Sequence, residues 1–533
     1  MFGLLYSAQG SGRQNTPQRS GWSFSPLKNR SLFAQSLRAQ IICGIVIAAA
    51  TLGLVACGPY YYKFPQFTFA NRPIPPSLLA NRVMISVTNG GSGSLQIVDA
   101  LRDLRSNVQN TKTSFSVSGY ASAFPNLILN FPAEITGYVY SNAKGDLQVI
   151  NYGKEAVGTS PGSFPALSTG LAVPPTFGHV YSAEESIGQL GIIDNSTGKT
   201  YGLVLPNVFQ VVVNQGDTVV LAMVRNSNTV YRVVKLNDTS YPTSTAAIAA
   251  IGAADCEPFN IPIYCVVPVN TGSQANAFDR PMGAYFSLDG STVYVLNCGQ
   301  ECGGTTSSVT YLQQGVLQFN KIPTTVPDAS AFSTQVLVPG GVTAAVSNGT
   351  TLYISGQQLQ PDGLFAGNLS IINLANNTVT GKYSISDGNH SKMLFADNNT
   401  LWIGSQFCAT GERAARAAQQ ISAGQATDQS ANYNCLTRFD MGALTASIVP
   451  AVSQSPTAPV AVLYPNTNQN QYYYGDLTGL CWVQGLNKVY TAYGGQVHAF
   501  NTADGSEINN KNIIVQGTAL DVAYMDAITD ADN

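Results

Sequence analysis

Short runs in which apolar and polar residues alternate recur along residues 80–526, and most of them follow a Gly, Asn or Asp turn. Each run opens on an aliphatic residue, and an aromatic or second aliphatic residue usually follows it. Alternation with a period of two, bounded by turn residues, is typical of half-buried β-strands. The eight copies are Val83-Met84, Val139-Tyr140, Val180-Tyr181, Val219-Val220, Val293-Tyr294, Leu352-Tyr353, Leu401-Trp402 and Val489-Tyr490.

A second strand pattern follows each of these copies and in most cases ends in Asp or Asn. A terminal Asx side chain favours a turn, because it accepts hydrogen bonds from the backbone two residues on. Asp99, Asp194 and Asp440 occupy equivalent positions, so we interpret them as turn residues rather than as an acid–base pair. The copies lie at residues 95–99, 147–151, 190–194, 230–234, 316–320, 369–373, 436–440 and 497–501.

A short apolar run precedes most of the first patterns, and a looser strand follows the second, so each unit has four strands. Units of this kind, mostly 40–60 residues apart, are typical of a β-propeller. The first unit begins at its second strand, residues 82–86, and the chain ends with an extra innermost strand, residues 519–524. We therefore predict an all-β fold: a single β-propeller of about eight four-stranded blades, closed by pairing of the C-terminal strand with the N-terminal blade.

The units resemble the YVTN-type propeller repeat of bacterial surface proteins over roughly residues 80–526. Residues 282–297 (MGAYFSLDGSTVYVLN) carry the resemblance best, and residues 488–501 are also similar. The resemblance implies a propeller, and because that family mostly has seven blades, seven is the alternative to our count of eight.

The N-terminal part has the features of an export signal. A region with five basic and no acidic residues precedes the apolar run QIICGIVIAAATLGLVA at residues 40–56. The string Leu54-Val55-Ala56-Cys57 resembles the bacterial lipobox, which implies that Cys57 is acylated and becomes the mature N-terminus. Gly58, where retained lipoproteins have Asp, implies the outer membrane of the cell envelope. The alternative is an uncleaved anchor helix, since 17 residues is near the lower limit for spanning a bilayer.

These patterns divide the chain into a signal peptide (1–56), a lipidated tether (57–80), the propeller (81–527) and a short tail (528–533). Without the first 56 residues the chain has 21 Lys and Arg against 29 Asp and Glu, a net charge of about −8. A mildly acidic domain does not neutralise phosphates, so nucleic acid is not an expected partner.

Six cysteines of the exported part fall into neighbouring pairs, for which we predict disulfides in an oxidising compartment. The pairs are Cys256 with Cys265, Cys298 with Cys302, and Cys408 with Cys435. The alternative for the second pair is half of a zinc site. Cys481 lies in an innermost-strand pattern beside Trp482 and is expected to be buried and inert.

The sequence contains few candidate catalytic or ligand-binding residues. Of the three histidines, His179 and His498 fall within strand patterns, whereas His390 lies at a unit boundary where it could approach one face of the ring. Asp521 is the plainest polar candidate on a strand that faces the central channel. We predict no catalytic set, no metal site and no cofactor, and keep His390 and Asp521 as weak functional candidates.

Three functions are compatible with this reading. The first is a non-catalytic envelope lipoprotein, held to the membrane by its lipid, whose propeller binds a protein, a glycan or a small molecule through loops such as residues 409–434. The second is a propeller enzyme that resembles lactonases or quinone-dependent dehydrogenases, with a metal or cofactor in the channel. The third is a structural component of a surface layer.

Overall fold

A computed structural model describes residues 72–105, 115–236, 250–257, 262–359, 365–406, 423–424, 435–449, 476–508 and 513–529, which belong to one compact unit. The predicted leader, Cys57 and Cys408 lie outside these residues, as do most of the loop at 409–434 and the end of the tail. None of the helices in the described ranges is long and apolar enough to cross a membrane.

The first four blades contain β1–β15, together with the C-terminal strand β31. Blade 1 consists of β1 (Arg82–Thr88), β2 (Gly93–Asp99) and β31 (Thr518–Tyr524). Blade 2 consists of β3 (Pro125–Phe131), β4 (Thr136–Ser141), β5 (Asp146–Asn151) and β6 (Ala156–Val157). Blade 3 consists of β7 (Gly170–Ala172), β8 (His179–Glu184), β9 (Gln189–Asp194) and β10 (Lys199–Val204). Blade 4 consists of β11 (Val208–Val213), β12 (Val220–Val224), β13 (Val230–Leu236), β14 (Asp255–Cys256) and β15 (Ile263–Pro268).

The other four blades contain β16–β30. Blade 5 consists of β16 (Pro281–Phe286), β17 (Thr292–Asn297), β18 (Ser308–Gln313) and β19 (Phe332–Leu337), with the single helical turn α1 (Gln314–Leu317). Blade 6 consists of β20 (Gly341–Ser347), β21 (Thr351–Leu359), β22 (Phe365–Asn373) and β23 (Thr378–Ile385). Blade 7 consists of β24 (Asn389–Ala396), β25 (Thr400–Gln406), β26 (Leu436–Asp440) and β27 (Thr445–Val449). Blade 8 consists of β28 (Leu477–Val483), β29 (Lys488–Tyr493) and β30 (Gln496–Asn501), and 3₁₀ turns occur at Pro132–Glu134, Glu185–Ile187 and Gly299–Cys302.

The eight sheets form a closed ring, which confirms the predicted propeller and the count of eight. β31 pairs antiparallel with β1, in a register that places Val83 opposite Tyr524 and Ile85 opposite Val522. The last strand of the chain therefore completes the first blade, as predicted, and β1 is not left as an unpaired sheet edge.

A hydrophobic cluster fills each of the eight junctions between neighbouring blades. Between blades 1 and 2, for example, Met84 packs with Val139, and between blades 7 and 8 Trp402 packs with Phe500. Each fully buried large apolar side chain contributes about 1.5–3 kcal/mol. The alternating residues of the second and third strands supply most of these side chains, which is why the repeat was readable in the sequence.

The ring has two faces, which blade 1 defines. The start of β1 and the ends of β2 and β31 share one end of the blade, where Arg82 lies opposite Asp99 and Val83 opposite Tyr524. We call this side the tether face, because the described chain enters beside it at Arg72. We call the opposite side, with Thr88 and Thr518, the far face; it carries the connections from second to third strands and from blade to blade.

The repeated aspartates are turn residues. Oδ1 of Asp194 accepts hydrogen bonds from the Ser196 and Thr197 amides, and Oδ1 of Asp440 accepts them from the Gly442 and Ala443 amides. Asp99 accepts one from the Leu101 amide in the same way. Each carboxylate caps the turn that follows the third strand of its blade, on the tether face.

The prediction for the third strand of blade 5 was wrong. It was placed at residues 316–320, whereas the strand is β18 and residues 314–317 form α1. Leu317 of that turn is buried in the cluster between blades 4 and 5. An apolar run of a few residues can fill a loop as well as a strand, and a period of two cannot separate the cases over so short a run.

Candidate functional site: the central channel

The innermost strands enclose a channel that contains two adjoining cavities. The first has a volume of about 480 Å³ and is lined mainly by apolar side chains of β3, β20, β24 and β31. The second, of about 700 Å³, opens at the tether face between blades 4 and 5. The two share five lining residues, which are Leu129, Val173, Val213, Gln215 and Tyr285.

Lys392 is the one charged residue among the described residues that line the first cavity. It lies on β24 of blade 7, and its Nζ is 3.3 Å from each carboxylate oxygen of Asp521 on β31. Oδ2 of Asp521 also accepts a hydrogen bond from the Ile128 amide of β3, and Oδ1 accepts one from the Val522 amide, each 2.9 Å long. The ion pair therefore connects blades 7, 1 and 2.

Gly479 on β28 makes this contact possible, because blade 8 lies between the two partners. A Cβ atom at position 479 would lie only 2.7 Å from Asp521 Oδ1 and 2.7 Å from the Val522 amide nitrogen. Any side chain there would push β31 away from β28. A glycine in the middle of an innermost strand thus marks a close approach between two blades.

Asp521 lies on a channel-facing strand, as the sequence predicted, but its carboxylate pairs with Lys392 and does not line the cavity. It is almost completely buried, and this burial raises the pKa of Asp521 even though the Lys392 ammonium and the backbone amides oppose the rise. The group that the channel presents is the Lys392 ammonium, which our sequence reasoning missed. A single Lys in the apolar run of β24, beside Met393 and Leu394, was the available signal.

His390 does not reach either face of the ring. It is fully buried, its Nε2 is 2.6 Å from the carbonyl oxygen of Ser386, and burial lowers the pKa of His390 to about 4. The ring is therefore neutral at physiological pH and donates from Nε2. In this position it packs blade 7 against the connection from blade 6.

The other two histidines are held by carboxylates. His179 Nδ1 is 2.5 Å from Asp217 Oδ2, and its Nε2 is 2.7 Å from the Tyr264 hydroxyl. Because Asp217 and Tyr264 belong to blade 4, this network joins blades 3 and 4. His498 Nδ1 is 2.6 Å from Glu507 Oε1 in blade 8. Neither histidine lines either cavity of the channel.

The cysteines bear out two of the predicted disulfides, Cys256–Cys265 and Cys298–Cys302. The first joins opposed residues of the β14–β15 hairpin inside blade 4. The second lies in the far-face loop between β17 and β18. Cys435 is disulfide-bonded, while its predicted partner Cys408 lies outside the described residues. Cys481 is a free, buried thiol, and burial raises its pKa.

Glu184, at the far-face end of β8, is a buried carboxylate that the sequence did not reveal. Among the described residues no hydrogen bond of normal geometry reaches either oxygen, and the nearby Ala166 amide only partly opposes the effect of burial. Burial raises the pKa of Glu184 from 4.5 to about 7. The folded protein therefore keeps this side chain protonated at pH values at which the unfolded chain ionises it.

Stability is expected to fall as the pH rises from 4.5 to 7, because ionisation then favours the unfolded chain. For Glu184 alone the loss between pH 5 and 8 is about 2–3 kcal/mol. Urea unfolding at pH 5 and at pH 8 should show that Glu184→Gln removes this part of the pH dependence of the free energy of unfolding. Glu185→Gln is the control, since Glu185 is partly exposed and paired with Arg225. The same pH dependence of the free energy of unfolding in Glu184→Gln and in the unsubstituted protein would contradict a raised pKa of Glu184.

No three His, Cys, Asp or Glu side chains in the described part of the chain lie close enough together to hold a metal ion. The polar residues that line the first cavity include Lys392 and Gln215, and those that line the second include Gln210, Asp289 and Gln314. Oε1 of Gln314 is buried and has no hydrogen-bond partner within the described residues.

The fold and channel define this chain as an eight-bladed β-propeller. No protein-family model matches it, and no curated protein matches it. Solved structures that are similar to this chain include dihydro-heme d1 dehydrogenase NirN in complex with DHE, which is 11% identical with a TM-score of 0.46, and the match covers 85% of this chain and 79% of that one. Another is hydrazine synthase of Kuenenia stuttgartiensis, which is 12% identical with a TM-score of 0.43 over 75% of this chain and 99% of that one.

The C-terminal WD40 domain of Sif2 is also similar, with 9% identity and a TM-score of 0.45, and the match covers 79% of this chain and 91% of that one. At such low identity and TM-score these likenesses carry no argument about ligand or reaction.

Proposed function

We propose that the chain is a cell-envelope lipoprotein, anchored through Cys57, whose propeller binds a small and mainly apolar ligand in its central channel without catalysis. The apolar run at residues 40–56 and the lipobox-like string before Cys57 support the anchor. The resemblance to YVTN-type repeats of bacterial surface proteins agrees with this location. The enzyme and surface-layer alternatives remain hypotheses.

One observation carries the binding proposal: an apolar cavity of about 480 Å³ with a single ammonium fixed in its wall. Cavities of roughly 300–1,000 Å³ with apolar walls and few polar groups are the usual form of small-molecule sites. Asp521 holds Lys392 in place, so a ligand would find a positioned donor rather than a mobile side chain. The preferred ligand therefore has an apolar body and one oxygen acceptor, for which a carboxylate is the strongest partner.

A cavity-filling substitution tests the site. Ala345 lines the first cavity, so Ala345→Phe is expected to weaken binding of the fluorescent probe 1-anilinonaphthalene-8-sulfonate at least tenfold in an equilibrium titration. Ser384→Phe, on the outermost strand of blade 6, is the matched control and should leave the titration unchanged. Equal probe affinity in the Ala345→Phe variant would overturn the channel site.

The same titration tests the role of Lys392. Dodecanoate should displace the probe at a lower concentration than dodecanol does, and Lys392→Met should remove that preference. A preference that survives Lys392→Met would show that the ammonium does not select the ligand, even if the channel binds the probe.

A further inference from the structure

Five large apolar side chains are exposed at the tether face, on the segments that enter and leave blade 1. Ile528, Ile74 and Leu78 are 80%, 65% and 60% exposed, and Leu101 and Leu104 are also exposed. We call these five residues the tether patch. Exposed apolar residues are unremarkable one by one, but several on neighbouring segments of one face indicate a contact surface.

The segments that carry the tether patch are hydrogen-bonded to one another and, at Ile528, to blade 8. An Arg72 guanidinium nitrogen donates to the Ala527 carbonyl oxygen, which places the start of the described chain beside its end. The Ala100 amide donates to the Asn81 carbonyl oxygen over 2.8 Å, and the Ile528 amide donates to Gln484 Oε1 over 2.8 Å. These hydrogen bonds fix the backbone of the tether patch on the ring, while its apolar side chains remain exposed.

The charges within these segments are paired with one another or turned inward. Arg102 is about half exposed and pairs with Asp99, whereas Asp103 and Asp526 are turned inward against Lys488 and Arg82. An exposed apolar surface whose neighbouring charges are paired can lie against a lipid surface without burying an unpaired carboxylate.

We propose that the tether patch docks on the lipid surface to which the chain is anchored. This inference rests on the proposed anchor: Cys57 precedes Arg72 by 15 residues, which span at most about 50 Å when fully extended. The chain enters the ring through the patch itself, since Ile74 and Leu78 belong to the entering segment. Docking there turns the far face, with the attachment points of the loops at 407–434 and 450–475, away from the bilayer.

Tryptophan reporters test the docking in the complete, membrane-extracted protein. Ile528→Trp and, as the matched control, Leu337→Trp are reconstituted in vesicles of phosphatidylethanolamine and phosphatidylglycerol that contain brominated lipid. Leu337 is 65% exposed and ends β19 on the far face. We expect quenching of the Trp at position 528 to be at least threefold stronger than at position 337, and adding Leu78→Glu to abolish the difference. Equal quenching would overturn the docking.

The mass of the peptide that contains Cys57, measured on the same preparation, reports on the anchor separately. An acylated Cys57 with equal quenching at both positions would remove the docking but leave the anchor. An unmodified Cys57 would remove the anchor, and docking would then stand only if the Trp at position 528 were still the one quenched.

Discussion

Replacement of Arg82 by Met is expected to lower the free energy of unfolding by about 3–5 kcal/mol. Arg82 is buried at the tether-face end of β1. Its Nη2 is 2.7 Å from Asp526 Oδ1, and its Nη1 is 3.0 Å from Glu155 Oε1 and 2.6 Å from the Tyr152 carbonyl oxygen. Without the guanidinium, the largely buried Glu155 carboxylate loses its ion pair with Arg82, and Asp526 retains only the more distant Arg72, at 3.9 Å. A shift of the urea midpoint with an unchanged slope measures the effect.

Arg102→Met is the control within the same blade. Arg102 also pairs with a carboxylate, that of Asp99 at 3.0 Å, but its side chain is 49% exposed. An exposed pair contributes at most about 1 kcal/mol, so this variant should unfold close to the unsubstituted protein. Equal shifts of the urea midpoint for the two variants would show that the buried ion pair of Arg82 with Asp526 does not stabilise the closure of the ring.

A chain that ends at Gly517 is expected to lose its cooperative unfolding transition. The truncation removes β31, and with it the partner of β1 and the strand between blades 2 and 8. The buried face of β1, with Val83, Ile85 and Val87, would then be exposed beside an unpaired edge. Such an edge promotes association between chains. Circular dichroism melting and light scattering should show a broad transition and aggregation.

Two further measurements separate ring closure from a general effect of shortening. A chain that ends at Thr529 keeps β31 and Asp526, so its melting should match that of the complete protein. A synthetic peptide of residues 518–529, added to the chain that ends at Gly517, should restore a cooperative transition. A cooperative transition in the truncated chain without the peptide would contradict the role of β31 in closing the ring.

The strands that the sequence predicted best are the second strands of the blades. Val139 and Tyr140, or Leu401 and Trp402, have buried neighbours on both sides, so their apolar character follows from local geometry alone. The closure of the ring was equally readable, because an N-terminal unit without an inner strand and a C-terminal strand without a unit leave one pairing that satisfies both. The third strand of blade 5 was missed, since Val316 and Leu317 are apolar for a reason that lies in the neighbouring blade.

The contacts around the channel, by contrast, could not be predicted from the sequence. Lys392 and Asp521 are 129 residues apart, and their contact depends on Gly479 in the blade between them. Glu184 lies in a strand with ordinary alternation. Only the packing of the folded ring buries its carboxylate at a place where no hydrogen bond of normal geometry from the described residues reaches it. His390 lies at the boundary between blades 6 and 7, but it is completely buried there and does not approach a face of the ring.

The sequence alone determined the repeat, the strand order within a blade and the pairing of the two ends, because these follow from alternation and turns within a few tens of residues. The tertiary structure decided which charges meet, which are buried and which apolar side chains stay exposed. Those properties depend on distances between blades, and such distances arise only when all eight sheets pack around one axis.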